Sequence, residues 1–326
     1  MKEAQRCFPE LSSRVPRIVA GVSLVSTFVA LAGAWLCSRD SFRQAGPLVL
    51  DESFGEYRIK IYRNDYDGWL ERVHESSPAW LARSIDWVRP DRPSSSYEIL
   101  RNGKRIYAAE GGQFSVADVT LPVEGGTTNV PILGRDITGD GVPDRAIAEP
   151  YGRLGGQSVC LFECGQQFRL SCIVQSLEPP GPVFRDYDGD GLAEVLVSDD
   201  TFYHWPTCRG GEPMPNIILR WRNGAYEVAS DLMWKICPDL ADLPRRAEEI
   251  RQSPDWPTEA EATPGPDGLF ATAVQLMYCG REELGWRFLK DAWKPEFPMK
   301  SELLDELRGR LDESPYWQQL RNRTDR

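Results

Sequence analysis

Two stretches of this chain set oxygen-bearing side chains at alternate positions of a glycine-bent turn. They are Asp136-Ile137-Thr138-Gly139-Asp140-Gly141-Val142-Pro143-Asp144 and, 50 residues later, Asp186-Tyr187-Asp188-Gly189-Asp190-Gly191-Leu192-Ala193-Glu194. Alternate residues of a curled loop converge, so positions 1, 3 and 5 aim their oxygens at one point while positions 2 and 4 face out. Glycine at position 6 permits the bend that brings the backbone carbonyl of position 7 (Val142, Leu192) and the carboxylate of position 9 (Asp144, Glu194) to the same point. An all-oxygen set suits a hard cation that takes about six to eight such ligands, and calcium is the one expected. A metal-free turn uses the same residue types, because aspartate and glycine are the ordinary residues of tight turns. Repetition of the whole pattern favours the ion.

The elements around these turns decide what kind of loop they are. An EF-hand shares the first half of the pattern but needs a bidentate glutamate at position 12 and an exiting helix. Position 12 here is Ile147 or Val197. The runs Ala146-Ile147-Ala148 and Val195-Leu196-Val197 predict instead a strand leaving each loop toward a sheet. Asp-x-Asp-Gly-Asp-Gly-x-x-Glu followed by an apolar strand resembles the FG-GAP/VCBS repeats of integrin-type calcium-binding propeller blades. The resemblance covers the two loops and their exit strands, with no third copy. It implies calcium ligation by Asp136, Thr138, Asp140 and Asp144 in one loop and by Asp186, Asp188, Asp190 and Glu194 in the other. Thr138 stands where a carboxylate is expected, leaving the first loop one short of the second. Ligand charge tunes calcium affinity, so carboxylate count makes the second site the tighter one.

The surrounding sequence predicts a β domain over residues 53–232. Tyr57-Arg58-Ile59-Lys60-Ile61-Tyr62 alternates apolar and polar with period two, a half-buried strand. Leu70 to Val88 suits a short helix, and Pro90 to Ser96 a loop. Asn102-Gly103 and Asn223-Gly224 each sit between strand-like runs and predict two-residue hairpins. Their registers would set Ile99 opposite Ile106, Trp221 opposite Tyr226 and Leu219 opposite Val228. A three-residue turn at Gly165 to Gln167 would set Cys160 opposite Cys172, close enough to bridge. Small buried thiols are the competing reading. A 50-residue period is compatible with one propeller blade per repeat. The expected fold class is therefore mainly β, with antiparallel blades arranged as a partial propeller or a sandwich.

Composition shifts after Ser230. Residues 233–268 form a connecting segment with a short helix at Arg245 to Arg251 after Pro244. Residues 269–326 are helical. Leu269 to Tyr278 and Arg281 to Trp293 predict a helical hairpin, with Ala273, Leu276 and Met277 facing Leu284, Phe288 and Ala292. A last helix starts at Ser301 and stops before Pro315. Trp286, Trp293, Tyr316 and Trp317 read as core or capping aromatics, or else as a partner-binding surface.

Residues 18–38 carry no charge and are long enough to cross a bilayer as a helix. Lys2, Arg6, Arg14 and Arg17 precede them, whereas Asp40, Asp51, Glu52 and Glu56 outnumber the basic residues after them. That asymmetry keeps residues 1–17 cytoplasmic and exports everything beyond, through a linker at 39–52. The length favours a permanent anchor over cleavage after the small-residue patterns at Ala30 to Ala34, and Trp35-Leu36 before Cys37 disfavours a lipoprotein signal.

The net charge of −11 argues against a nucleic-acid partner. Only two histidines, His74 and His204, are present, and no Gly-x-Ser-x-Gly, His-Glu-x-x-His or phosphate-cradling Gly-Lys-Ser/Thr occurs. The expected role is thus a membrane-anchored, extracytoplasmic calcium-binding domain that acts as a binding module for a protein or glycan. The alternative is an exported calcium-dependent hydrolase of glycans, esters or phosphoesters, with His204 and nearby Asp199 and Asp200 as its candidate groups.

Overall fold

Strands that follow one another in sequence pair with one another in the computed structural model, which describes residues 47–63, 95–151, 155–179, 181–206, 212–256, 265–297 and 301–324. The first sheet is β1 (Leu48–Phe54), β2 (Tyr57–Arg63), β3 (Ser95–Arg101) and β4 (Lys104–Gly111), in that order. The second is built on β8 (Leu133–Arg135), β9 (Asp144–Tyr151), β10 (Gly156–Cys164) and β11 (Phe168–Ser176), with the short β5 (Ser115–Val116) added beside β9. The third runs β12 (Val183–Arg185), β13 (Glu194–Ser198), β14 (Asn216–Arg222) and β15 (Ala225–Val228). A hairpin of β6 (Asp118–Val123) and β7 (Gly126–Pro131) extends it through a parallel β6–β12 pairing. No sheet closes on itself. The fold is mainly β with helices at the C-terminal end, as the sequence predicts.

Period-two patterning explains the layering. On β2 and β3, Tyr57, Ile59, Ile61, Tyr97 and Ile99 face inward and meet Ile147 of β9 and Phe162 of β10 in one core. Neighbouring residues on those same two strands, Ala146, Ala148, Val159 and Leu161, face a second core shared with Val195, Ile217 and Leu219 of the third sheet and with the helices. The middle sheet is thus buried on both faces. Its strands are apolar at consecutive positions rather than alternating.

Two hairpins match their predicted turns and one register survives intact. Asn102, Gly103, Asn223 and Gly224 all have positive φ, as this turn type requires. Across the second turn Trp221 faces Tyr226 and Leu219 faces Val228. Across the first, a bulge slips the register, so Ile99 lies opposite Tyr107 instead of Ile106. The Tyr107 ring then packs 5.8 Å from Tyr97 and 5.0 Å from Phe162, while Ile106 turns outward. Burying an aromatic ring in place of a smaller side chain favours the bulged register.

A second bulge overturns the expected Cys160–Cys172 bridge. The three-residue turn forms, with Cys164 opposite Phe168, but the register shifts between Leu161 and Phe162. Cys160 therefore faces Ile173, and Cys172 faces Leu161. Cys160 packs toward the first core and Cys172 toward the second, on opposite faces of the sheet, and both are free thiols.

The helices are α1 (Leu243–Gln252), α2 (Leu269–Tyr278), α3 (Glu282–Ala292), α4 (Ser301–Glu313) and α5 (Pro315–Thr324). Helices α2 and α3 form the predicted hairpin. They approach so closely at Gly285 that a Cβ there would lie 2.6 Å from the Ala273 carbonyl oxygen. Helix α4 stops before Pro315 as expected but is not the last helix, because Pro315 opens α5 as its first residue, where a missing N–H costs nothing. The Ser314 hydroxyl oxygen accepts from the Trp317 N–H at 3.0 Å, which caps that start. Ser314 and Tyr278 both donate to Asp199 Oδ2, at 2.5 and 2.6 Å, tying the end of β13 to α2 and to the α4–α5 junction.

Strands β1, β5, β6, β7, β8 and β12 have no counterpart in the sequence prediction, and Ser95 and Ser96 begin β3 where a loop was expected. The expected helix at 70–88 and the apolar segment 18–38 lie outside the described residues. Among the described residues no helix is long and apolar enough to cross a membrane.

Candidate metal centre

Each acidic turn is the connection of a tight hairpin. The first links β8 to β9, with Arg135 opposite Asp144; the second links β12 to β13, with Arg185 opposite Glu194. Four of their internal hydrogen bonds correspond atom for atom. Asp136 accepts from the N–H groups of Gly139 (2.6 Å) and Gly141 (2.8 Å), and Asp186 from Gly189 (2.6 Å) and Gly191 (2.9 Å). Asp140 accepts from Val142 N–H and Asp190 from Leu192 N–H, both at 2.8 Å. One oxygen of the last acidic residue accepts from position 2, Asp144 from Ile137 and Glu194 from Tyr187, both at 2.9 Å. The loops also touch each other. Ala193 N–H donates to the Ile137 carbonyl at 3.0 Å, and the Leu192 side chain covers Gly139.

The second loop brings three of its expected ligands together. Asp186, Asp188 and Glu194 each offer a carboxylate oxygen within 4.8 Å of the others, a partly buried triad that could hold a metal ion. Asp190 does not join them; its carboxylate is spent on the turn. Arg220 of β14, beside Glu194 and one step beyond the Val195–Leu219 pair, already reaches this cluster. Its guanidinium donates to Asp188 Oδ2 (2.5 Å), Glu194 Oε1 (2.9 Å) and Asp231 Oδ2 (2.9 Å). Burial pushes the Glu194 carboxyl pKa up, and the bonds from Arg220 and Tyr187 N–H draw it back part of the way. Burial works against the charge on Arg220 too, but Glu194 and Asp231 outweigh it and its pKa is raised.

Among the described residues the first loop has no such cation. The residue of β10 opposite Asp144 is Glu163, the topological counterpart of Arg220 with the opposite charge. Glu163 pairs with Arg169 on β11 and lies within hydrogen-bonding reach of the Asp140 carboxyl. Asp144 is fully buried. Its Oδ2 accepts from Ile137 N–H and from the Thr138 N–H and hydroxyl, whereas Oδ1 has no partner among the described residues. Burial, with Asp140 and Asp136 nearby, pushes the Asp144 pKa up to about 7, although the bonds from Ile137 and Thr138 oppose it. A buried carboxylate oxygen without a partner costs free energy until a proton or a cation meets it. Oxygen donors around such an atom fit a hard cation.

Sequence reasoning missed Arg220, Glu163 and Asp231, because none lies in the loops. The signal for the first two is strand pairing: each stands beside the last acidic residue of its loop on the next strand. His204 is exposed, has positive φ and lies tilted against Tyr203 with ring centroids 3.8 Å apart. Among the described residues it makes no hydrogen bond to a carboxylate. Asp199 is committed to Tyr278, Ser314 and Thr201 N–H, and Asp200 to Ser198 and Leu177 N–H. No protein-family model and no curated protein sequence matches this chain.

Proposed function

We propose that residues 48–326 are an extracytoplasmic binding module, held at the membrane by residues 18–38, whose loops are fixed by a divalent cation, calcium being the expected one. A protein or glycan partner would dock on the ordered β surface. The observation that carries this reading is the buried, unpartnered Asp144 Oδ1 inside an oxygen-lined turn. Its counterpart in the second loop, Glu194 Oε1, meets a guanidinium.

That contrast also changes the expected order of filling. Counting carboxylates favours the second loop, but an ion there must compete with Arg220 for Asp188 and Glu194. The first loop offers a carboxylate oxygen with no competitor. Calcium therefore enters the first loop at lower concentration, held by Asp136, Thr138, Asp140, Asp144 and the Val142 carbonyl. Binding only to the native state converts ion affinity into folding stability.

Calcium titration of the full-length protein, followed by calorimetry and thermal unfolding, tests this directly. The expected outcome is one equivalent bound tightly with a rise in Tm, both lost in Asp144→Asn and kept in Asp188→Asn. No heat and no Tm change across the titration would end the cation reading. Crosslinking to intact cells with calcium and then with chelator tests the module: a partner captured only with calcium supports it.

A further inference from the structure

Two other cysteines lie where the β region hands over to the helices. After β15 the chain makes a short 3-10 turn, Met233–Ile236, closed by Cys237, whose N–H donates to the Trp234 carbonyl at 3.3 Å. Cys279 caps the C-terminus of α2. Its Sγ donates to the Met233 carbonyl at 3.4 Å, so the end of α2 is anchored to the start of that same turn. Cys237 closes the very turn whose first carbonyl Cys279 Sγ meets, which sets the two thiols beside one another. Both are half-buried free thiols.

We infer that Cys237 and Cys279 are a disulfide-forming pair that clamps the end of the β region to the helical hairpin. Thiols held at the two sides of one four-residue turn can reach a bond length of about 2 Å by side-chain rotation. Cys160 and Cys172, by contrast, lie on opposite faces of a sheet. The bond would enclose residues 238–278 and so hold α1 and α2 against the third sheet. It is independent of any cation in the acidic loops.

The chemistry requires an external disulfide as oxidant, such as oxidised glutathione. Burial pushes the Cys279 thiol up, so it is the poorer first nucleophile. The Cys237 thiolate attacks the external disulfide, forming a mixed disulfide and releasing one thiol. Cys279 then loses its proton to solvent and attacks the Cys237 sulfur, expelling the second external thiol. Two protein thiols are oxidised by two electrons, and the external disulfide is reduced to two thiols.

The test equilibrates the full-length protein across glutathione redox ratios, alkylates free thiols and digests without reduction. A linked peptide pair carrying Cys237 and Cys279 is expected. The oxidised form should unfold about 5 °C or more above the reduced form, since closing a loop of this size constrains the unfolded chain. Cys237→Ser and Cys279→Ser should each abolish the Tm difference. Alkylation of both thiols at every ratio, a bridge from either to another cysteine, or a redox-dependent Tm that survives in the double serine variant would overturn the inference.

Discussion

The two acidic loops share one backbone frame and differ in how their charge is closed. Four hydrogen bonds from the loop's own N–H groups to positions 1, 5 and 9 have their equivalents in the other copy, and the bond from Thr138 N–H to Asp144 is the first loop's own. What separates them is a residue on the next strand, Glu163 in one case and Arg220 in the other. Turn geometry is thus a local property, satisfied by aspartate and glycine alone. Electrostatic closure is a tertiary property. A loop that brings its own guanidinium is held shut without an ion, and a loop that lacks one leaves a buried carboxylate oxygen open.

The sharpest way to break this comparison is to remove the built-in cation. Arg220→Gln strands Glu194, which is 1% exposed, with an uncompensated charge. Stability in chelator should fall by about 3 kcal/mol, because breaking a buried pair leaves one ion without its partner. Calcium should then restore most of that loss and the binding stoichiometry should rise from one to two. Denaturant unfolding with and without calcium measures both. An unchanged stoichiometry would mean that the second loop does not hold ions even when vacated.

Neutralising the equivalent carboxylate in each loop should give opposite signs. In chelator, Glu194→Gln weakens the bond to Arg220 and should cost about 2 kcal/mol. Asp144→Asn removes a buried charge that nothing meets, and should stabilise the metal-free protein by about 1 kcal/mol at pH 8. The sign follows from linkage. A carboxyl raised to about 7 in the native state contributes stability in its protonated form. That contribution is full below the ordinary aspartate pKa and is lost as pH rises through about 7. The advantage of asparagine should therefore vanish toward pH 3 to 4, grow as pH rises from about 4 to about 7, and level off above that. Equal destabilisation by the two substitutions would show that Asp144 has a partner after all.

Much of this frame is legible in the sequence, and the places where it is not share a cause. The turns, the exit strands, the Asn223-Gly224 register and the α2–α3 hairpin are all set by neighbours within a few residues. The registers of Ile99 and Cys160 fail because each hairpin contains a bulge, and bulges are chosen by what the displaced side chain can bury. Tyr107 wins a place between Tyr97 and Phe162 that no period-two pattern announces. The stop before Pro315 is legible, but the helix that Pro315 opens is not, because proline both ends helices and begins them, and only the capping Ser314 and the buried Trp317 reveal the second role. Glu163 and Arg220 escape for the same reason. Their role depends on which strand lies alongside the loop's last acidic residue.

The smallest expected difference concerns the loops' packing and not their charge. Gly139 and Gly189 occupy equivalent positions with φ of +78° and +86°, so alanine is strained at either by about 1 kcal/mol. Their surroundings are unlike. A Cβ at Gly189 meets nothing within 4 Å, whereas one at Gly139 would lie 2.6 Å from a methyl carbon of Leu192. That side chain sits next to Ala193, whose N–H bonds to Ile137, so displacing it disturbs the contact between the loops. Gly139→Ala should therefore cost about 1 kcal/mol more than Gly189→Ala, the added amount being an overpacking penalty. In a Leu192→Ala background the two glycine variants should converge, because the methyl that Gly139 accommodates is gone. If they converge without that second substitution, the loops are not packed on one another and each is an independent hairpin turn.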